Sequence, residues 1–143
     1  MQPAASGVVR LIGILHGAAD QESLRQIASQ FGWNVLITEV FADGMALIEH
    51  QSIPIVICDR ELTGMDWKQS LARIASCSPC TCILLASRVA DPYLWDEVIR
   101  HHGYDIVRKP FDAEELRRIV RFASTWREWM RAYQNRTAGG PSS

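Results

Sequence analysis

The sequence has few cysteines, almost no net charge and no long apolar run, and each shortage excludes a class of protein. Four cysteines in 143 residues are too few for a disulfide-bonded secreted scaffold. A net charge of −1 at pH 7 gives no basic surface that would attract nucleic acid or an anionic membrane. No apolar run approaches the roughly 18 residues of a membrane span. We therefore expect a cytoplasmic protein with reduced thiols, and neither nucleic acid nor a membrane as its partner.

The composition is that of one ordinary globular domain. Apolar residues make up 48% of the chain and charged residues 22%, which excludes disorder over most of its length. We expect a single domain over residues 1–126. The last helix is expected to continue beyond it into residues 127–143, where Thr137–Ser143 is rich in glycine, proline and serine and predicts a disordered tail.

Short apolar segments alternate along the chain with amphipathic ones. The apolar segments predict five strands: Val8–Leu15, Trp33–Thr38, Ile53–Cys58, Cys82–Ala86 and Asp105–Arg108. Each of them is followed by apolar residues at helical spacing, which predicts five helices. Aspartate stands at the start of four of these helices and is expected to cap them: Asp20, Asp43, Asp91 and Asp112.

Strict alternation of strands and helices predicts an α/β fold with a parallel sheet covered by helices on both faces. Continuous apolar strands agree, because central parallel strands are buried on both sides. In such sheets a site forms beyond the carboxyl ends of the strands. Asp59 and Lys109 each come directly after a predicted strand, so both are expected at that edge.

Asp59 and Lys109 together suggest chemistry on a phosphoryl group. A carboxylate can attack phosphorus as a nucleophile, and a lysine ammonium can act as a point charge on a phosphoryl oxygen. A structural ion pair at the edge of the sheet is the alternative, and the spacing of the two residues does not decide between them.

The segment Asp59–Asp66, with the sequence DRELTGMD, resembles the acceptor-aspartate loop of bacterial response regulator receiver domains. Lys109-Pro110-Phe111 is similar to the lysine–proline turn of that family, and Gly103 also fits its pattern. The resemblance covers roughly residues 8–125 and implies a flavodoxin-like, doubly wound sheet of five strands in the order 2-1-3-4-5. It also implies that Asp59 is the phospho-acceptor, that Lys109 senses the phosphoryl group and that the Lys109–Pro110 peptide is cis.

The chain departs from the family where the metal binds. Receivers carry two acidic residues directly after the first strand, and here those positions fall on Leu15-His16 or on His16-Gly17. Asp59 and the backbone carbonyl of Glu61 are left as ligands, so the resemblance implies Mg²⁺ binding that is weak at most. The side chain of Glu61 is a further oxygen that could compensate. Asp20 is a possible substitute for the pair, although its expected role as a helix cap explains it as well. His16 itself is expected to be a loop residue rather than a ligand.

Two further family positions are altered. The hydroxyl residue at the end of the fourth strand aligns with Ala86, but Ser87 stands beside it and is the expected phosphoryl-sensing hydroxyl. The family's switch aromatic, three residues before the lysine, is Ile106 here. Tyr104 is expected to point to the same side of the strand as Ile106 without being its equivalent.

The favoured function is a stand-alone receiver in phosphorelay signal transduction, a phosphoprotein with no enzyme activity. Its partners would be a histidine kinase or phosphotransfer protein and a downstream protein. The alternative is a pseudo-receiver that acts as a protein-interaction module without phosphorylation. A small flavodoxin-like enzyme that binds a nucleotide or flavin is the third reading, and it is weakened because no glycine-rich phosphate loop follows the first strand.

The last predicted helix carries large apolar residues beyond the expected edge of the domain. Its period continues to about Asn135 without glycine or proline, and Trp129, Met130 and Tyr133 follow Trp126 in this part. Aromatic and methionine side chains are enriched in interface cores. We therefore expect a homodimer formed through the last helix, the alternative being a helix that bends back onto its own domain.

Overall fold

Five strands and five helices alternate along residues 8–139, which are the residues that the computed structural model describes. The strands are β1 (Arg10–Ile14), β2 (Asn34–Thr38), β3 (Ile55–Asp59), β4 (Cys82–Ser87) and β5 (Asp105–Arg108). The helices are α1 (Ala18–Phe31), α2 (Phe41–His50), α3 (Trp67–Cys77), α4 (Pro92–Arg100) and α5 (Ala113–Gly139).

The strands form one parallel sheet in the order β2-β1-β3-β4-β5, which confirms the predicted flavodoxin-like fold. Successive side chains of a strand point to opposite faces. In β1, Ile12 and Ile14 pack towards the helices α2, α3 and α4, while Leu11 packs towards α1 and α5. The central strand β3 is buried along its whole length, including Asp59 at its carboxyl end.

Two of the four expected aspartate caps are confirmed. Asp91 accepts a hydrogen bond from the backbone N–H of Leu94 at 2.8 Å, and Asp112 accepts one from Glu115 at 2.9 Å. The prediction was wrong for Asp20, because α1 begins two residues earlier, at Ala18, after Gly17 turns the chain with a φ of 104°. It was also wrong for Asp43, which lies inside the first turn of α2.

Helix α5 is the longest element, at 27 residues. Its first part covers the sheet with buried side chains up to Ala123. The helix then passes the predicted boundary at Trp126 and continues to Gly139, further than the expected end near Asn135. The rest of the predicted disordered tail, residues 140–143, lies outside the described residues. Among residues 8–139, no helix is both long enough and apolar enough to cross a membrane.

The substitution Gly44→Ala tests the close packing of α2 on β1. A Cβ at Gly44 would lie 2.5 Å from Cδ1 and 2.8 Å from Cγ1 of Ile14, which is fully buried. We expect the overpacking to cost about 1–3 kcal/mol of unfolding free energy, partly offset by the ~1 kcal/mol by which alanine improves the helix. Ile14→Val removes Cδ1, so the double variant should lose less than the two single variants added together. Urea unfolding measures all four proteins, and strict additivity would contradict the contact.

Candidate functional site

Asp59 and Lys109 meet at the carboxyl edge of the sheet, as the sequence predicts. Lys109 Nζ lies 2.8 Å from Asp59 Oδ1, and the two side chains are 3% and 0% exposed. Asp59 ends β3, while the backbone N–H of Lys109 donates to the carbonyl of Ser87 at 3.0 Å and so fixes the lysine beside the end of β4. The Lys109–Pro110 peptide is cis, as expected.

Backbone donors hold both oxygens of the Asp59 carboxylate. The N–H of His16 donates to Oδ2 at 2.9 Å, and the N–H of Glu61 donates to Oδ1 at 3.0 Å. These two contacts come from the loop after β1 and from the loop after β3. The carboxylate is therefore fixed in one orientation, with two hydrogen bonds on Oδ1 and one on Oδ2.

Asp20 also reaches the site, from the first turn of α1. Its Oδ2 lies 3.1 Å from Lys109 Nζ, and its side chain is 13% exposed. One ammonium is thus shared by two carboxylates, those of Asp20 and Asp59. Burial opposes the charge on Lys109, but the hydrogen bonds to Asp59 and then to Asp20 outweigh it and raise the pKa of the ammonium above its usual value.

His16, at a position where the sequence comparison expects an acid, contributes its backbone to the site and not a carboxylate. The imidazole of His16 is half-exposed and lies 3.3 Å from Glu39, so it turns away from Asp59. Only its N–H touches the carboxylate. This agrees with the expectation of a loop residue, although the backbone contact itself gives no signal in a sequence.

The oxygen atoms suited to a metal are those of Asp59 and Asp20. Glu61 touches Asp59 through its N–H, and its side chain is exposed. Within the described part of the chain, no three histidine, cysteine, aspartate or glutamate side chains converge on a metal-binding position. Mg²⁺ in proteins is often held by one or two carboxylates and several waters. The two carboxylates of Asp59 and Asp20, which lie around the Lys109 ammonium, match this number of carboxylate ligands.

Ser87 ends β4 and is buried, and its hydroxyl contacts neighbouring residues of the same edge of the sheet. Its Oγ accepts from the N–H of Val89 at 3.0 Å and from Arg60 Nη1 at 3.4 Å. In the sheet register Ala86, not Ser87, lies opposite Asp59. Arg60 thus connects the loop after β3 to the end of β4, since its backbone N–H also donates to the carbonyl of Ala86 at 2.9 Å. Sequence reasoning did not single out Arg60, because an arginine after a strand is usually only solvated.

Ile106 is buried among the side chains below α3 and α4. The prediction that Tyr104 points to the same side was wrong, because Tyr104 precedes the regular part of β5. Its ring packs in the layer of α1 and α5, where it lies 5.5 Å from the ring of Trp126.

The response regulator receiver domain family matches residues 18–121, and the chain belongs to that family. Three solved structures illustrate the likeness of the fold. The signal receiver domain of an HD domain-containing protein from Pseudomonas fluorescens Pf-5 has a TM-score of 0.78 at 22% identity, over 87% of this chain and 92% of that one. A CheY-like response regulator receiver domain protein from Methanospirillum hungatei JF-1 has a TM-score of 0.77 at 18% identity, over 86% and 98%.

The third structure is the beryllofluoride-activated NtrC4 receiver domain dimer. It has a TM-score of 0.76 at 16% identity, over 82% of this chain and 98% of that one. At these identities the three structures establish the fold alone. No curated protein matches the chain in sequence. The family places the chain among the receiver domains of signal transduction.

Removing the ammonium tests whether the site depends on Lys109. Lys109→Met leaves the carboxylates of Asp59 and Asp20 close together without their counter-ion, so we expect a loss of about 3 kcal/mol in unfolding free energy. Adding Asp59→Asn should recover part of it. Lys68→Met is the control, because Lys68 pairs with Glu97 at the surface, and its effect should be small. Equal effects of the two lysine substitutions in chemical unfolding would contradict the buried pair.

Proposed function

We propose that the chain is a receiver whose Asp59 accepts a phosphoryl group from a histidine kinase or phosphotransfer protein. The observation that carries the proposal is the buried contact between Asp59 and Lys109 at the carboxyl edge of the sheet. An oxygen of Asp59 attacks phosphorus and forms a new P–O bond. The bond from phosphorus to the donor's leaving atom breaks, and that atom departs with the electron pair. The receiver itself is not an enzyme in this proposal, since the phosphoryl group ends on its own side chain.

Oδ2 is the better placed nucleophile of the two Asp59 oxygens. It accepts one hydrogen bond, from His16, whereas Oδ1 is held by both Glu61 and Lys109. Once phosphorus is bound, the Lys109 ammonium can follow the negative charge from Oδ1 to a phosphoryl oxygen. Ser87 is proposed as the hydroxyl that senses the group, because its Oγ accepts hydrogen bonds and its own O–H can still donate.

Mg²⁺ is the metal that the family implies, and the carboxylates of Asp59 and Asp20 would hold it. The sequence also offers the backbone carbonyl of Glu61, whose N–H contacts Asp59. When bound, the ion would neutralise charge that develops on the phosphoryl oxygens. Without carboxylates at His16 and Gly17, fewer hard oxygens surround it. We therefore propose weak binding and slow phosphorylation.

A pseudo-receiver is the second candidate, and the closed state of the site favours it. Asp59 is fully buried, and both of its oxygens already accept hydrogen bonds. Such a carboxylate can serve as the fixed partner of Lys109 without any transfer of phosphate. The chain would then act only as an interaction module of the same fold.

Phosphate incorporation separates the two functions. We expect the chain, incubated with acetyl phosphate, to gain the mass of one phosphoryl group slowly with Mg²⁺ and more slowly without it. Asp59→Asn should abolish the gain, and Asp66→Asn, at an exposed acid of the same loop, should leave it unchanged. Intact mass spectrometry measures both. A wild-type chain that gains no phosphoryl group under any of these conditions would decide for the pseudo-receiver.

The proposal includes a reducing compartment such as the cytoplasm. All four cysteines are free thiols: Cys58, Cys77, Cys80 and Cys82. Burial raises the pKa of the Cys58 and Cys82 thiols to about 12, which keeps them protonated and unreactive.

We further propose that the second half of α5 is the surface through which two copies of the chain associate. Its large side chains continue past residue 121, where the family match ends. Four aromatic residues follow one another at spacings of four, three and four residues, which places them on one stripe of the helix. They are Phe122, Trp126, Trp129 and Tyr133. Trp129 and Tyr133 are 65% and 51% exposed, and their rings stack at 6.0 Å. A pre-ordered aromatic stripe suits an interface core.

Removing the aromatic stripe should abolish self-association. We expect the full chain to sediment as a dimer and the variant Trp129→Ala/Tyr133→Ala to sediment as a monomer with unchanged circular dichroism. Tyr93→Ala is the matched control, because Tyr93 on α4 is an equally large and 77% exposed aromatic away from the stripe. Ending the chain after Trp126 should act like the double variant. A wild-type chain that is monomeric at high micromolar concentration would exclude the dimer.

A further inference from the structure

Asp20 is the one acidic side chain from α1 that reaches the site at the carboxyl edge of the sheet, as far as the described residues show. It stands three residues into the helix, inside the first turn and not at the cap position, which Gly17 occupies. Its carboxylate instead lies 3.1 Å from the ammonium of Lys109 and is 13% exposed. Asp20 therefore contacts the lysine from within the first turn of the helix.

The start of α1 is built so that Asp20 faces the site. Gly17 turns the chain with a positive φ of 104°, a conformation that glycine adopts without strain. The side-chain amide of Gln21 then donates to the carbonyl of Leu15 at 2.8 Å. This contact ties the first turn of the helix to the end of β1. Asp20 lies between the turn at Gly17 and the hydrogen-bonded Gln21, which together fix its position.

The charges show what Asp20 adds. Asp59 and Lys109 alone would form a neutral pair, so a second carboxylate is not needed to balance the lysine. Within residues 8–139, Lys109 is the only cationic side chain in an ion pair with either Asp20 or Asp59. The three groups together carry one negative charge. A buried charge needs a partner, and Asp20 and Asp59 share the one ammonium of Lys109.

We propose that Asp20 is the positioning residue for Lys109 and supplies the second carboxylate that His16 and Gly17 do not. The role of this carboxylate in phosphoryl transfer rests on the proposed function, but its hold on Lys109 does not. When Asp59 becomes an acyl phosphate, its carboxylate loses the charge that attracts Lys109. Asp20 keeps its charge and holds the ammonium beside the new phosphoryl oxygens. Lys109 thus stays in the site in both states of Asp59.

The lysine content makes the proposal directly measurable. The chain has two lysines, Lys68 and Lys109, so labelling lysine with ¹³C and ¹⁵N gives two sets of side-chain NMR signals. Lys68, paired with Glu97 at 2.9 Å, is an internal control in every spectrum. We expect Asp20→Asn to shift the Cε and Nζ signals of Lys109 and to speed the exchange of its ammonium protons, with Lys68 unchanged.

Two further variants separate positioning from a general effect of charge. Glu22→Gln removes a negative charge from the same turn of α1, where Glu22 is exposed and contacts Arg25 at 3.7 Å and Gln26 at 3.4 Å. It should leave the Lys109 signals in place. Asp20→Glu keeps the carboxylate and should restore them in part. Coincident Lys109 signals in the wild type and in Asp20→Asn would overturn the proposal.

Phosphorylation gives the second readout. With acetyl phosphate, we expect Asp20→Asn to be phosphorylated about tenfold or more slowly than the wild type, and Glu22→Gln to match the wild type. Equal rates in Asp20→Asn and wild type would overturn the role in phosphoryl transfer. A wild type that takes up no phosphate would refute the proposed function, and the NMR signals of Lys109 would then still decide whether Asp20 positions the lysine.

Discussion

The contact between the Asp59 carboxylate and the Lys109 ammonium is the constraint on which the rest of the site depends. Two opposite charges can be this well buried only when each is held in place, because an unpaired charge in such a position is strongly destabilising. The sheet meets this requirement by ending β3 at Asp59 and by fixing Lys109 against Ser87 at the end of β4. The N–H groups of His16 and Glu61 then fix the carboxylate.

The same constraint explains how the site is organised without a carboxylate at His16 or Gly17. The loop after β1 supplies an N–H instead of a carboxylate, and α1 supplies Asp20 one turn later. The second carboxylate of the site therefore comes from α1, which the hydrogen bond from Gln21 to Leu15 ties to the end of β1. The site keeps two carboxylates around one ammonium, an arrangement suited to hold either the lysine alone or a hard cation beside it.

Much of the fold and the centre of the site follow from the sequence. Buried parallel strands read as continuous apolar runs, and a charged residue that ends such a run has to lie at the edge of the sheet, which located Asp59 and Lys109. The sequence leaves Asp20 open as a helix cap or as a substitute for the acid pair, because aspartate is favourable both at a cap and in the first turn of a helix. Which of these positions Asp20 takes depends on where Gly17 turns the chain and α1 begins. The side of the sheet that Tyr104 faces was missed for a similar reason, since alternation holds only inside the regular strand. The contacts of Arg60 and of the His16 N–H depend on loop geometry and leave no pattern in the residues.

A crystal structure of the wild-type chain with beryllofluoride, a mimic of a phosphoryl group, tests most directly whether the Asp59–Lys109 pair can accept one. The account predicts beryllium bonded to Oδ2 of Asp59, with Lys109 Nζ moved from Oδ1 to a fluorine and still in contact with Asp20. An unmodified Asp59 that keeps Lys109 on Oδ1 under these conditions would contradict it.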